Sequence, residues 1–458
     1  MEDTIAGIAT PSGTAAIGII RVSGPMCQEI ASRIFRPSHA TGVMTSHRLY
    51  HGDIVSPDTG RPIDEVLVSI MRKPHSYTGE DVLEINCHGS PFILESVLLE
   101  VIRAGSRLAE PGEFTRRAFL NNRLDLSQAE AVADTITAKT DRALEVAVSH
   151  LKGEFARKIE EIRSSIVNVL ALLEASIDFS DDDVEAASPG TAAEAIQSAI
   201  DELNRLASTY REGKIYRDGI SVVIAGKPNV GKSSLLNRLL GEKKAIVTTV
   251  PGTTRDLVEG MISIRGIPVI LTDTAGIREP KDPIEEEGIR RVWERVSETD
   301  LVIVLIDGSE CLTDDDMKII DGCRPRNFFF VINKSDLPHL VDEKRLVSLA
   351  PDTDVPVWIS AKEGLGISAL KEAIYSHALS DAQCGESGHI VSNIRHKIAI
   401  ERTSDLLSRA KETILQGLSP ELSAFDVRQS LENLGEIAGK TVTDEVLDRI
   451  FSTFCIGK

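Results

Sequence analysis

Short apolar runs divide the middle of the chain, and polar or turn-forming stretches follow them. Such runs are typical of strands buried on both faces, and helical patterns such as residues 234–240 lie between them. The alternation predicts a mostly parallel, doubly wound α/β sheet that binds ligands at the carboxyl ends of its strands. The predicted strands are residues 221–225, 269–272, 301–307, 328–333 and 355–360.

Longer helical patterns flank this central region. Residues 125–177 contain no proline and are rich in Ala, Leu, Glu and Lys, and further helical patterns cover residues 193–212, 393–416 and 424–451. We interpret residues 119–214 and 381–458 as one discontinuous helical domain, with the α/β domain at residues 215–380 inserted into it. Residues 383–388 are typical of a linker.

The first part of the chain, residues 1–118, has a different texture. Runs rich in β-formers at residues 16–22, 66–71 and 82–86 alternate with turn clusters and with one helical stretch at 93–104. This pattern predicts an α+β domain. The whole chain is therefore expected to be a multidomain protein, α/β plus α.

A phosphate-binding loop follows the first central strand. Residues 226–233 read Gly-Lys-Pro-Asn-Val-Gly-Lys-Ser. The two glycines let backbone N–H groups curl around phosphate oxygens, Lys232 reaches the β and γ phosphates, and the Ser233 hydroxyl ligates Mg²⁺. By itself this pattern is only a moderate signal, but its place between a strand and a helix strengthens it.

Two further motifs indicate which base the bound nucleotide carries. Residues 333–336, Asn-Lys-Ser-Asp, follow a strand, and residues 360–362, Ser-Ala-Lys, follow the next. We expect Asp336 to be a buried carboxylate that accepts hydrogen bonds from the ring N–H and the exocyclic amine of guanine, a donor pair that adenine lacks. Alone, residues 333–336 are equally compatible with an ordinary turn, and residues 360–362 are typical of a polar loop; in order after a phosphate loop, the two motifs indicate GTP.

The segment between the phosphate loop and Asp273 lies where a nucleotide-sensing switch is expected. Within residues 246–256, Thr254 is the candidate that ligates Mg²⁺ and senses the γ-phosphate, although Gly-Thr-Thr-Arg-Asp at 252–256 is also compatible with a polar turn. Residues 273–276, Asp-Thr-Ala-Gly, form the metal and γ-phosphate loop. Ile277 follows, where a water-orienting glutamine is expected, so catalysis requires another group. Carboxylates at 279–287, or a monovalent cation bound by Asn229 and switch carbonyls, are the alternatives.

Composition narrows the function further. The 458 residues carry a net charge of −19, which argues against wrapping nucleic acid by bulk electrostatics. The six cysteines contain no Cys-x-x-Cys pair, so neither a disulfide framework nor a zinc site is indicated. The N-terminus lacks a basic leader and no apolar stretch is long enough to span a bilayer, so we expect a cytoplasmic protein.

Four segments carry a resemblance to a known family. They are the phosphate loop with its Pro228-Asn229 pair, the switch at 252–256, residues 273–279, and the terminal Phe-Cys-Ile-Gly-Lys at 454–458. Together they resemble the tRNA modification GTPase MnmE (TrmE) family, and the similarity extends to residues 21–24, 77–81 and 111–115.

The resemblance implies a function. Members of the family work with the flavoprotein MnmG (GidA), in a heterotetramer or larger complex, to add a carboxymethylaminomethyl-type group to C5 of the wobble uridine of certain tRNAs. A tetrahydrofolate derivative, 5-formyl- or methylene-tetrahydrofolate, supplies the carbon. The family's N-terminal domain binds folate and forms a homodimer, and its Ras-like G domain hydrolyses GTP with Mg²⁺ in a potassium-dependent dimerisation cycle.

The resemblance and the motifs also imply site residues. Arg21, Glu84, Arg123 and Lys458 match folate contacts, Glu285 matches a general-base-like glutamate, and Cys455 matches a cysteine needed for modification. Arg123 stands where some members carry lysine, which keeps the charge but changes the geometry. Mg²⁺ is assigned to Ser233 and Thr254, and K⁺ to Asn229, Thr248, Val250 and Thr253. The expected GTP contacts are Asn229, Val230, Gly231, Lys232, Ser233, Ser234, Thr248, Thr249, Val250, Pro251, Gly252, Thr253, Thr254, Asp273, Thr274, Ala275, Gly276, Asn333, Lys334, Asp336, Ser360, Ala361 and Lys362.

A second function class stays open at this point. A GTP-dependent switch for RNA or ribosome assembly would use the same nucleotide motifs without one-carbon chemistry. Such switches usually carry a basic RNA-binding module, which this acidic sequence does not display.

Overall fold

The structure is a computed structural model that describes residues 3–39, 43–178, 189–241, 259–273, 299–350, 355–379 and 389–457. The chain divides into two compact units. The first unit comprises Met1–Ile136, His150–Gln197 and Asp405–Lys458, and the second comprises Thr137–Ser149 and Ser198–Ser404. The three domain boundaries expected from the sequence, at 118/119, 214/215 and 380/381, remain a prediction.

The first unit contains a seven-stranded sheet in the order β3-β4-β5-β6-β2-β1-β7. Its neighbouring strands pair antiparallel except β1 and β7, which pair parallel. Helices α1 and α2 cover one face, where Ile20, Val68 and Ile85 are buried against Ile30 and Val97. The strands are β1 Ile5–Ile8, β2 Ile17–Ser23, β3 Phe35–Pro37, β4 Leu49–Val55, β5 Pro62–Met71, β6 Val82–His88 and β7 Arg107–Leu108; the helices are α1 Cys27–Ile34, α2 Pro91–Arg103 and α3 Glu113–Leu120.

The helical region is more broken than the sequence pattern indicates. The continuous pattern at 125–177 forms three helices, and the patterns at 193–212 and 424–451 each form two. Gly153 and Gly439, with φ of +75° and +83°, take the left-handed conformation at two of these breaks. The helices in this region are α4 Leu126–Thr137, α5 Asp141–Leu151, α6 Glu154–Asp178, α7 Pro189–Ser208, α8 Tyr210–Asp218, α13 Ile394–Leu415, α14 Pro420–Ala438 and α15 Asp444–Phe451.

Charged and apolar contacts join the distant helices of the first unit. Helices α6 and α14 run antiparallel, with Glu160 bonded to Lys440 at 2.9 Å and Glu174 to Arg428 at 2.7 Å. Leu126 of α4 is buried in one cluster with Leu447, Phe451 and Phe454 of the C-terminal region. The helical domain is therefore assembled from segments on both sides of the central region, as the sequence predicts.

The second unit contains a six-stranded sheet in the order β13-β12-β11-β8-β10-β9. All neighbours pair parallel except the edge strand β9, which is antiparallel to β10. Every residue of β11 is buried, because alternate side chains enter separate apolar clusters on the two faces. The elements are β8 Ile220–Ala225, α9 Lys232–Leu240, β9 Glu259–Ile264, β10 Ile267–Asp273, β11 Leu301–Asp307, α10 Asp314–Cys323, β12 Phe328–Asn333, α11 Glu343–Leu349, β13 Val357–Trp358 and α12 Ile367–Ala378.

This arrangement confirms the predicted fold class, a doubly wound α/β domain within a chain that also has α+β and helical parts. One predicted strand is too long. Residues 355–360 pair with β12 only at Val357–Trp358, because Ser360 turns away to bridge to Leu365. None of the described helices is long and apolar enough to cross a membrane.

Candidate nucleotide-binding site

The nucleotide motifs meet at one edge of the second sheet. In the parallel register, Asp273 at the end of β10 stands beside Ile224 of β8, and Asp307 at the end of β11 stands beside Asn333 of β12. The phosphate loop leaves β8 at this same edge. The fold therefore brings together motifs that are more than a hundred residues apart in the sequence.

The phosphate loop has the backbone that its glycines allow. Gly231 has φ of +101° and Asn229 has φ of +63°. A Cβ atom on Gly226 would lie 2.5 Å from the Leu305 carbonyl oxygen, so only glycine fits there. The Lys232 ammonium donates to the carbonyls of Gly226 at 2.7 Å and Lys227 at 2.9 Å, which places its charge inside the curled loop.

Helix α9 begins at Lys232, directly after this loop. Its N–H groups and the positive end of its dipole face the loop, which is the arrangement that binds phosphate. Ser233 and Ser234 are exposed in the first turn of α9. The Ser233 hydroxyl is a hard oxygen donor beside a phosphate cradle, so it fits the Mg²⁺ role expected for it.

Asn333 connects the phosphate loop to the base-recognition segments. Its side chain is buried, its Nδ2 donates to the Val230 carbonyl at 2.7 Å, and its Oδ1 accepts from the Ala361 backbone N–H at 3.0 Å. Both ends of the amide are therefore occupied by backbone groups of different motifs. Asn333 fixes the separation between them.

Lys334 continues the motif in a left-handed conformation, with φ of +64°. Its ammonium lies 2.5 Å from Oδ2 of the buried Asp307. Burial alone would raise the pKa of Asp307, but hydrogen bonds from Lys334 and Ser309 hold that pKa below its usual range. Asp307 is thus an ionised anchor for Lys334.

Asp336 differs from the expectation of a buried carboxylate. The residue is exposed, because it lies in the turn that follows β12 rather than in the core. A hydrogen bond from the Ser360 hydroxyl, with smaller contributions from Lys362 and Lys334, lowers the pKa of Asp336. The carboxylate is therefore ionised, which suits it to accept hydrogen bonds from guanine.

The contacts of two side chains at this site were not predicted. Lys227 of the phosphate loop is bonded to Glu310 at 3.0 Å and to the buried Asp316 at 3.2 Å. Arg238 of α9 donates from Nε to the Ala361 carbonyl at 3.1 Å and from Nη2 to the Lys362 carbonyl. Their partners lie 83 or more residues away in the sequence, so no local pattern could have revealed them.

Several predicted site residues lie outside the part of the chain that the structure describes. These are the switch residues Thr248, Thr249, Val250, Pro251, Gly252, Thr253 and Thr254, the loop residues Thr274, Ala275 and Gly276, and Glu285 and Lys458. For Asp273 only the backbone is described. The roles assigned to all these residues remain predictions.

A second group of predicted residues meets in the first unit. Arg21 of β2 and Glu84 of β6 are cross-strand neighbours, with 2.8 Å between Arg21 Nη2 and Glu84 Oε1. The Arg21 guanidinium lies 5.2 Å from the ring centroid of Tyr77 and 5.9 Å from that of Phe114. Its Nη1 also donates to the Gly457 carbonyl at 3.5 Å. The C-terminal segment therefore contributes a carbonyl to the polar Arg21–Glu84 pair, which lies beside two aromatic rings.

The C-terminal segment is held in place by the backbone of the first unit. Gly457 has φ of +95°, and a Cβ atom there would lie 2.3 Å from the Ile8 carbonyl oxygen. The Cys455 carbonyl accepts from the Gly112 N–H at 3.4 Å, while the residue itself is exposed. Arg123 does not join the Arg21–Glu84 pair directly; it donates to the Ser76 carbonyl at 3.0 Å, one residue from Tyr77.

A doubly wound sheet with a phosphate loop and an Asn-Lys-x-Asp base reader at its carboxyl edge defines a P-loop GTPase. Comparison with known proteins makes the assignment narrower. Residues 126–455 match the MnmE helical domain family, and residues 4–123 match the family described as the GTP-binding protein TrmE N-terminus. The chain belongs to the MnmE (TrmE) family of tRNA modification GTPases. This confirms both the predicted family and the predicted enzyme class.

Individual relatives agree over their full length. The chain is 54% identical over 458 residues to the tRNA modification GTPase MnmE of Syntrophus aciditrophicus, and 45% identical over 459 residues to that of Geotalea uraniireducens; each match covers 100% of both chains. Among solved structures, Era of Aquifex aeolicus is 30% identical over 41% of this chain and 67% of its own, with a TM-score of 0.29.

Proposed function

We propose that this chain is a GTP-hydrolysing enzyme that acts with the flavoprotein MnmG on the wobble uridine of certain tRNAs. It adds a carboxymethylaminomethyl-type group at C5, and a tetrahydrofolate derivative supplies the carbon. The observation that supports the proposal is that one chain of the MnmE family contains two groups of polar residues: the phosphate loop bonded to Asn333 in the second unit, and the Arg21–Glu84 pair beside Gly457 in the first.

The nucleotide site supports the hydrolytic half of this function. Lys232 and the start of α9 bind phosphates, and the ionised carboxylate of Asp336 selects guanine. Ser233 and Thr254 would hold Mg²⁺, which neutralises charge on phosphate oxygens when bound. Asn229, exposed in the loop, would bind K⁺ with Thr248, Val250 and Thr253, and Glu285 would act on the attacking water through a second water.

The first unit supports the one-carbon half. The pterin ring of a folate is flat and carries N–H donors, so it suits the Glu84 carboxylate and the half-buried ring of Tyr77. Arg21 holds Glu84 in place and contributes positive charge. Arg123 and Lys458 are assigned to the folate on family resemblance, and Cys455 is assigned to the modification step rather than to GTP hydrolysis.

The proposed working state is a homodimer that associates with MnmG, in the cytoplasm. MnmG would supply much of the tRNA-binding surface, because this chain carries a net charge of −19. Light scattering of the chain alone and after mixing with MnmG tests both associations. A monomer that does not bind MnmG would contradict this part of the proposal.

Nucleoside mass spectrometry of tRNA from a deletion strain tests the function as a whole. Loss of the C5 modification is expected, with recovery when the intact gene is returned. Arg21→Ala should fail to restore the modification, whereas Arg61→Ala, which removes an exposed arginine of the same unit, should restore it. Unchanged wobble uridines in the deletion strain would instead favour an assembly switch that performs no one-carbon chemistry.

A further inference from the structure

We propose that Arg238 is a positioning residue for guanine recognition, which ties the helix of the phosphate loop to the Ser-Ala-Lys segment. The inference rests on the proposed GTP-binding function and assigns a role to a side chain outside the nucleotide motifs. Arg238 lies six residues along α9 from Lys232, on an exposed part of the helix.

The guanidinium of Arg238 binds two successive backbone carbonyls. Its Nε donates to Ala361 at 3.1 Å, and its Nη2 donates to Lys362. The chain then turns past it at Gly364, where φ is +81° and a Cβ atom would lie 3.6 Å from the guanidinium carbon. The segment that follows β13 is thus wrapped around the end of this side chain.

The backbone of Ala361 is consequently held from two sides. Its N–H donates to Asn333 Oδ1 at 3.0 Å inside the domain, and its carbonyl accepts from Arg238 at the surface. The Ile359 carbonyl, two residues before Ala361, accepts from the backbone N–H of Ser335, the neighbour of Asp336, at 3.0 Å. A shift of this segment would therefore move the turn that carries Asp336, the residue proposed to select guanine.

An arginine is suited to this task for a geometric reason. Its planar fork presents donors in fixed relative directions, so one side chain can fix two neighbouring carbonyls at once, whereas lysine offers a single mobile charge. Asn333 provides an inner, buried tie between the phosphate loop and the base segment, and Arg238 provides an outer one from the helix that begins in that loop. With the Asn333 bond alone, the segment that follows β13 would be able to rotate about that bond.

Dissociation of fluorescent mant-GDP from the full-length chain, followed by stopped flow, tests the proposal. Arg238→Ala should raise the dissociation rate about five- to tenfold, which corresponds to about 1 to 1.4 kcal/mol, while leaving the association rate unchanged. The dissociation rate of Arg238→Lys should lie between those of the unchanged chain and of Arg238→Ala. Arg324→Ala, which removes the same charge from an exposed ion pair with Asp321, should match the unchanged chain.

Base discrimination and turnover separate positioning from general destabilisation. GDP should lose more affinity than IDP in Arg238→Ala, because IDP lacks the exocyclic amine that Asp336 reads. The KM for GTP should rise while kcat stays within about twofold, since the mutation removes binding common to ground and transition states.

The outcomes that overturn the proposal are distinct from those that overturn the proposed function. If the unchanged chain does not bind GDP, the proposed function itself fails. If it binds GDP and Arg238→Ala releases it at the normal rate, or the GDP-to-IDP preference is unchanged, only the role of Arg238 is rejected. Should Arg238→Ala not fold, Arg238→Lys decides, and a normal dissociation rate for that variant rejects the role.

Discussion

The contact between Gly231 and Asn333 offers a quantitative test of the nucleotide site. A Cβ atom on Gly231 would lie 2.3 Å from Asn333 Nδ2 and 3.6 Å from its Cγ. Apart from the chain neighbours, these are the only atoms of the described residues within 4 Å of that position. Gly231→Ala should therefore displace Asn333, and the displacement should disappear when Asn333 is already alanine.

The expected magnitudes follow from the contacts. An alanine at φ of +101° is strained by about 1–2 kcal/mol in either background. Moving Asn333 also breaks its bonds to Val230 and Ala361, both buried, which costs about 2 kcal/mol or more. Gly231→Ala should thus destabilise the unchanged chain by about 3–5 kcal/mol, but the Asn333→Ala chain by only about 1–2 kcal/mol.

Urea unfolding of the nucleotide-free chain measures this double-mutant cycle. Trp358 lies in β13, next to β12, and reports on the second unit. Trp293, the other tryptophan of the sequence, is replaced by phenylalanine in all four proteins so that only Trp358 contributes. The chain has two compact units, so the analysis uses only the transition that changes Trp358 fluorescence.

A coupling of about 2 kcal/mol between the two substitutions is expected, with the double variant more stable than the sum of the singles indicates. Additive effects within about 0.5 kcal/mol would show that alanine at position 231 leaves Asn333 undisturbed. In that case the geometry of the phosphate loop given above would be wrong.

Four further predictions concern individual residues. GTP turnover should be severalfold faster in potassium than in sodium, and Asn229→Ala should abolish the difference; steady-state rates that are equal in both salts for the unchanged chain would reject the K⁺ assignment. Glu285→Ala should lower kcat at least about tenfold while leaving the Kd for GTP unchanged, so normal single-turnover hydrolysis would exclude its catalytic role. Arg21→Ala should weaken tetrahydrofolate binding about tenfold or more in calorimetry, because Glu84 loses the cation that holds it; an unchanged Kd would place the folate elsewhere. The lowered pKa of Asp336 keeps its carboxylate ionised from about pH 8 down to pH 5, so this residue should contribute no change in GDP affinity over that range. Titration of Asp336→Asn in parallel isolates the contribution of the carboxylate. A fall in the GDP affinity of the unchanged chain below about pH 6, absent from Asp336→Asn, would contradict the lowered pKa.

The sequence predicts those strands whose surroundings are apolar on both faces. The bounds expected for Leu301–Asp307 and Phe328–Asn333 agree with the structure, because nearly every residue in them must be apolar. The order of the nucleotide motifs then follows from topology alone. Asn333, Asp336 and Ser360 could be placed near one another before any contact was known.

Elements that depend on distant partners could not be predicted in this way. The helical pattern at 125–177 contains no strong breaker before Gly153, yet the helix ends at Thr137. Charged side chains are seldom fully buried, but Arg117 is. Its burial is possible because Asp3, Glu80 and Glu113 surround its guanidinium. Arg238 meets Ala361 across 123 residues. Pairings of this kind leave no trace in local periodicity.

The close contact between Gly457 and Ile8 limits how this chain can be truncated or combined with segments of its relatives. Arg21 donates to a carbonyl that lies 436 residues further along the sequence, so residues 4–123 alone contain all seven strands of the sheet but lack the Gly457 carbonyl beside Arg21. The segment around Ile8 and the segment around Gly457 therefore have to fit each other closely. A chimera that takes only one of these two segments from a relative would bring together, at this contact, surfaces from two different proteins.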